Sequence, residues 1–376
     1  AGAGLSMDGP VYFEQRPTAP GIIFTQEPTA PYTIKFAPNV DPFTSAFDAA
    51  SAPETITADN LGGYLALDGS VNEAKDPQWA LRVKPGTGNE RIMQAYPIVT
   101  YTAIYLSGTG DDNNDGATAN TPVATFARAK ELLLTELKGN GVIYICGSTV
   151  KITGKEDWSL READGFSKAV VEQYSDFSDV LISVSSGGAL TLSDITINGG
   201  KIVQVETQPT RNTAALTINA GTILHVNIST GNAVALLGGK SVMDGGTIRG
   251  GSKGVNLEKG AAFEMSGGEF EYCDYAIYNA GVVSISGTAT FPTSTPNSTG
   301  VYINGGTLTL QDATIFGTSC GVRLSTYGNF EMNSGTVISN WDAVRVVEDT
   351  SRFTLNDGTV SAGTSGKTAV VITMGT

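Results

Sequence analysis

The sequence holds one histidine and three cysteines among its 376 residues. Cys146, Cys273 and Cys320 are too few and too scattered for a disulfide framework or a zinc site, so each is expected as a small buried free thiol. Basic side chains are scarce as well. With 23 Lys+Arg against 37 Asp+Glu the formal charge is −14 and no basic run occurs, which excludes a nucleic-acid partner because phosphate binding needs clustered cations. No uninterrupted apolar run approaches the roughly 18 residues a spanning helix needs, so no membrane span is expected. The opening Ala1-Gly2-Ala3-Gly4 has neither the charged start nor the apolar stretch of a secretion signal, and the chain reads as a processed or trimmed form.

What the chain has in quantity is glycine, 46 residues, with much Thr, Ser and Asn, the composition of a sheet-and-turn protein. From residue 188 onward one pattern recurs: "LTLSDITI", "LTINAGTI", "SVMDGGTI", "FEMSGGEF", the looser "VSISGTATF", "LTLQDATI", "FEMNSGTV" and "FTLNDGTV". The anchors Leu192, Ile218, Met243, Met265, Ile285, Leu310, Met332 and Leu355 follow one another at 20 to 26 residues. Alternation along a strand points these anchors to one side and Thr191, Thr217, Glu264, Ser284, Thr309, Glu331 and Thr354 to the other. A further inward column is expected at Ile197, Ile223, Ile248, Phe270, Ile315, Val337 and Val360. A second apolar step follows in each unit: "VAL", "VNL", "IYN", "VYI", "VRL", "VRV" and "VVI", between residues 234 and 372. Units this short cannot close a core alone but can when stacked. The spacing therefore predicts an all-β, right-handed parallel β-helix over 142–376. Leucine-rich repeats, propellers and calcium-binding nonapeptides are excluded by their missing signatures.

Upstream, residues 99–141 comprise a strand, an Asp/Asn turn and a capping helix. Thr121-Pro122 is the expected N-cap and first turn, with Val123, Phe126, Ala127, Ala129, Leu133 and Leu137 as the apolar stripe and Gly139-Asn140-Gly141 as the stop. An open first coil would expose its core, so this amphipathic helix is expected as the N-terminal cap. Residues 1–98 form a Pro-rich, β-rich extension. Its near-duplicate "RPTAPGIIF" and "EPTAPYTIKF" suggest extended or edge strands, while "GYLALDGS" and "QWALRVKPG" suggest strands of a small sheet.

The segment "YLSGTGDDNNDGATANTPVATFARAKELL" resembles the opening of bacterial pectate-lyase-like right-handed β-helix proteins. The resemblance implies the fold for the coils that follow. It leaves activity open, because that superfamily includes lyases, glycoside hydrolases, phage tailspikes and non-catalytic adhesins.

Asp111, Asp112 and Asp115 place three carboxylates in one short loop, a donor set suited to calcium. Asp is equally favoured in tight turns, and the loop is read as the corner that launches the cap, with calcium as the alternative. Glu269, Glu271 and Asp274 in "GEFEYCDY" are the candidate catalytic carboxylates, with Arg249 one coil earlier at the register of Glu271. A solvated turn with one cross-coil ion pair is the preferred reading. His225 has no nucleophile partner in sight and is read as structural, and no Gly-His-Gly motif is present. The outward positions of the second step, Asn256, Tyr278, Tyr302, Arg323 and Arg345, offer aromatic planes for sugar rings and guanidinium forks for carboxylate or sulfate. Stacked like residues on a β-helix also serve merely to cover the sheet, and that packing reading is the preferred one for the column. The expectation is a non-catalytic secreted or bacterial cell-surface adhesin or binding scaffold for glycans, with Tyr278, Tyr302, Arg323 and Arg345 as ligand contacts. A polysaccharide lyase or glycoside hydrolase is the second reading and a phage tailspike the third.

Overall fold

The structure, a computed structural model, describes residues 100–206, 213–291, 298–363 and 367–373, and before them the backbone of seven strands. The chain divides into two compact units, Ala1–Thr100 and Tyr101–Thr376.

In the first unit Val11–Phe13, Tyr32–Phe36, Glu90–Pro97, Trp79–Pro85 and Glu54–Ile56 lie in that order in one sheet. Ile22–Phe24 and Leu65–Leu67 form a second, two-stranded sheet. Of the two Pro-rich segments, expected as extended or edge strands, one is an extended strand inside the sheet. Tyr32–Phe36 is flanked by a parallel partner on one side and an antiparallel partner on the other. Pro28 and Pro31 precede its first paired residue, so no ladder donor is lost.

The second unit is a parallel β-solenoid. Each full coil carries three strands, exemplified by Ala189–Leu192, Thr196–Gly199 and Lys201–Val205. The first and second faces share a fourteen-stranded sheet, the third face is a ten-stranded sheet, and Thr314–Gly317, Thr336–Ser339 and Thr359–Ala362 continue the second face. The predicted anchors are register partners, coil to coil, from Leu192 to Leu355. Those from Leu192 to Met332 are buried in one continuous core, and Trp158 extends the column one coil earlier as the partner of Leu192.

Two expectations about the core need correction. Leu355 is 48% exposed, because among the described residues no further strand follows the Arg352–Leu355 strand in the sheet. Ile223 is not an inward residue; Leu224 is buried and pairs with Ile197 and Ile248. The Ala220-Gly221-Thr222 turn is one residue longer than its counterparts, and with a side-chain period of two that shift puts Ile223 on the outer face. After Phe270 the inward column passes to Phe291, whose ring lies 5.4 Å away.

The corner between the first two faces is tight. Gly246 and Gly268 have φ of +82° and +87°, and a Cβ at Gly268 would lie 2.5 Å from the Met243 methyl. Left-handed backbone and close packing together require glycine there.

The helix runs Phe126–Glu136, four residues later than the Thr121-Pro122 start predicted, with Thr125 as N-cap. Val123 is held extended, its N–H donating to the Tyr105 carbonyl at 2.9 Å, which bars helical backbone before it. Phe126, Ala129, Leu132 and Leu133 are the buried stripe, while Ala127 faces solvent. Phe126 stacks on Trp158, ring centroids 4.3 Å apart and planes 10° from parallel.

All three cysteines are buried free thiols. Cys320 lies two coils from Tyr275, the near neighbour of Cys273, which is about 10 Å along the axis and too far for an unstrained disulfide. Peptide mass spectrometry without reduction is expected to find no Cys273–Cys320 link; finding one would refute this coil register. Burial pushes the thiols of Cys146 up to about 11 and of Cys273 and Cys320 up to about 12, from an ordinary value of 9.0. An unfolded thiol ionises first, so this contribution to stability is whole below pH 9 and is lost as pH rises through 11 to 12.

Candidate functional site

Along each third-face strand the residue between two buried ones points outward. The register pairs Asn256 with Tyr278, Tyr278 with Tyr302, Tyr302 with Arg323, and Arg323 with Arg345, so the predicted column is one unbroken ladder over five coils. Its members are half-buried except Arg345, which is exposed.

The ladder is tied together laterally. Tyr278 and Tyr302 meet edge to face, centroids 4.9 Å apart at 77°, and Tyr275 packs against both at 5.8 and 5.7 Å. Lys253 Nζ sits 3.9 Å from the centroid of Tyr278, and the Arg323 guanidinium 5.2 Å from that of Tyr302. Each is a cation–π contact, which fixes the ring and holds the charge at the surface. The phenol oxygens are also engaged: Asn304 Nδ2 donates to Tyr278 at 3.2 Å, and Tyr302 shares a 2.9 Å hydrogen bond with Ser325. Burial, with neighbouring Tyr302 adding to it, raises the Tyr278 phenol above its ordinary range, opposed by the bond from Asn304. At the far end Arg345 bonds the carboxylate of Asp342, three residues earlier on the same strand.

No protein-family model, curated protein or solved structure matches this chain.

The carboxylates of "GEFEYCDY" do not converge on a free space. Glu269 accepts from the Thr247 hydroxyl at 2.9 Å, and Glu271 pairs with Arg249 Nε at 2.5 Å, at the predicted register. Asp274 is exposed beyond the strand end. His225 is the register partner of Asn198 and Arg249 on the same outer face. Two shallow cavities of about 340 Å³ follow the nearby corner, one walled by Leu160, Arg161 and Phe166, the other reaching Thr247 and Glu269. Glu271 borders neither.

In the opening loop every carboxylate serves the chain. Asp111 accepts from the backbone and side-chain N–H groups of Asn113 at 2.9 and 2.8 Å, and Asp115 from Ala117 N–H and the Thr121 hydroxyl at 3.0 and 2.6 Å. Asp112 takes the N–H groups of Ala124 and Thr125, both at 2.9 Å, and the Thr125 hydroxyl at 2.8 Å. This satisfies donors left free ahead of the helix. Among the described residues no group of three His, Cys, Asp or Glu side chains is arranged to hold a metal. Chelator is accordingly expected to leave the melting temperature unchanged. A drop of several degrees restored by calcium, and abolished by Asp112→Asn, would assign the loop to a cation instead.

Sequence reasoning found the ladder because each member sits at a fixed offset between two inward residues. It missed Tyr275, Lys253, Asn304 and Ser325, which join the site sideways. It missed Trp341 too, 56% exposed at the corner leading into the Asp342–Val346 strand, with Lys367 Nζ 3.3 Å from its ring centroid. Among the described residues no helix is long and apolar enough to cross a membrane.

Proposed function

We propose that this chain is a non-catalytic binding scaffold of the pectate-lyase-like β-helix type, on a bacterial surface or secreted, that holds a glycan along the third face. The supporting observation is the ladder from Asn256 to Arg345, with like-spaced polar and aromatic groups on successive coils about 4.8 Å apart. Its side chains are held by partners before any ligand arrives, so little ordering entropy is lost on binding. Because Lys253 and Arg323 lie over the tyrosine faces, sugar hydroxyls would meet the ring edges and the polar rim of Asn256 and Asn304. Engagement of Glu269 and Glu271 by Thr247 and Arg249 weighs against the hydrolase reading.

Screening the full chain on a glycan array, beside reducing-end and unsaturated-product assays, tests this. The expected result is binding without product, weakened roughly two- to tenfold by Tyr302→Ala, the scale of one aromatic contact. Product release abolished by Glu269→Gln or Glu271→Gln would replace it with the glycoside hydrolase reading.

A further inference from the structure

Arg323 and Arg345 are direct register partners on adjacent strands, a spacing of about 4.8 Å between backbones. Like charges facing each other across a sheet are destabilising. One carboxylate answers them: Asp342, 7% exposed, bonds Arg345. Among the described residues Arg323 forms no ion pair, and its buried Nε finds no acceptor. Its guanidinium rests on the π face of Tyr302. A buried charged donor without an acceptor is expensive. The chain carries 37 acidic side chains, so a missing counter-anion at this place is a matter of arrangement rather than of supply.

Resting on the glycan reading above, we propose that Arg323 and Arg345 together bind a tetrahedral oxyanion ester, sulfate or phosphate, carried on the glycan. A carboxylate is planar and can saturate one guanidinium fork, whereas Asp342 reaches Arg345 through a single nitrogen, Nη2, and does not fill its fork. A tetrahedral oxyanion keeps oxygens outside that plane and bridges the forks of two successive coils. The aromatic end of the ladder, Tyr278 and Tyr302, then takes the sugar body.

Two measurements on the full chain test this. Inorganic sulfate and inorganic phosphate are titrated while the Nε–Hε resonance of Arg323 is followed by NMR, assigned by its disappearance in Arg323→Lys. Calorimetry then compares one oligosaccharide in sulfated, phosphorylated, carboxylated and neutral forms. Expected are a saturable shift of the Arg323 resonance and tetrahedral-ester binding about tenfold or more tighter than carboxylate or neutral binding, weakening with salt. Arg323→Lys, which keeps charge but loses the fork, should remove most of that preference at an unchanged melting temperature. Arg345→Gln should remove it too, with a lower melting temperature because Asp342, 7% exposed, loses its cation. Whichever ester binds more tightly identifies the source of the oxyanion. Equal binding of the carboxylated form, or a resonance that neither ion moves, would overturn the proposal while leaving glycan recognition intact. A sulfate- or phosphate-sensitive Arg323 in a protein that binds no oligosaccharide would support the anion site and sink the glycan reading.

Discussion

Met332→Ala is expected to lower stability by about 2–5 kcal/mol, the range for truncating a fully buried long apolar side chain. Met332 is 0% exposed and stacked in register between Leu310 and Leu355. Its loss leaves a void that rigid neighbouring coils close only in part. Leu355→Ala removes a comparable side chain from the same column, yet Leu355 is 48% exposed and its truncation should cost about 1 kcal/mol or less. Urea denaturation of both variants measures the difference. Equal losses would mean that the terminal coil is covered as fully as the interior ones. Because each coil touches chiefly its neighbours, the Met332 effect should be felt first in the C-terminal coils, visible as earlier amide exchange there.

The same contrast marks the limit of what the sequence discloses. "FEMNSGTV" and "FTLNDGTV" present the same alternation, and what separates a core methionine from an exposed leucine is that, among the described residues, a strand covers the first and none covers the second. The anchor register was legible because each anchor closes the same apolar-x-apolar step, which is why seven successive pairings could be predicted although the spacing varies from 20 to 26 residues. Register failed at Ile223, where one added turn residue reversed the face. Trp158 escaped because residues 159–167 separate its strand from the next and hide the repeat. At the candidate site the ladder itself was legible. The cations over the tyrosine rings were not, since they depend on rotamers of Lys253 and Arg323 that no spacing encodes.

Phe126→Ala should destabilise by about 3–5 kcal/mol, as expected for removing a buried aromatic side chain. The helix carrying it starts where the loop carboxylates permit. Asp112 binds the N–H groups of Ala124 and Thr125, and Thr125 in turn accepts from Arg128 N–H at 3.2 Å. That places Phe126 in the first turn, 3% exposed, against Trp158 of the first anchor strand. Its ring joins helix to solenoid, and alanine would leave Trp158 facing a cavity. Asp112→Asn keeps an oxygen acceptor for the two N–H groups and should be nearly neutral, whereas Asp112→Ala should cost about 0.5–2 kcal/mol as a lost cap. Thermal unfolding followed by tryptophan fluorescence reports on Trp158 among the protein's three tryptophans. The order Phe126→Ala, then Asp112→Ala, then Asp112→Asn follows from packing outweighing exposed hydrogen bonds. If Asp112→Asn proved as damaging as Phe126→Ala, the ionised carboxylate itself would be holding the fold, and the loop would have to be reconsidered as a cation site.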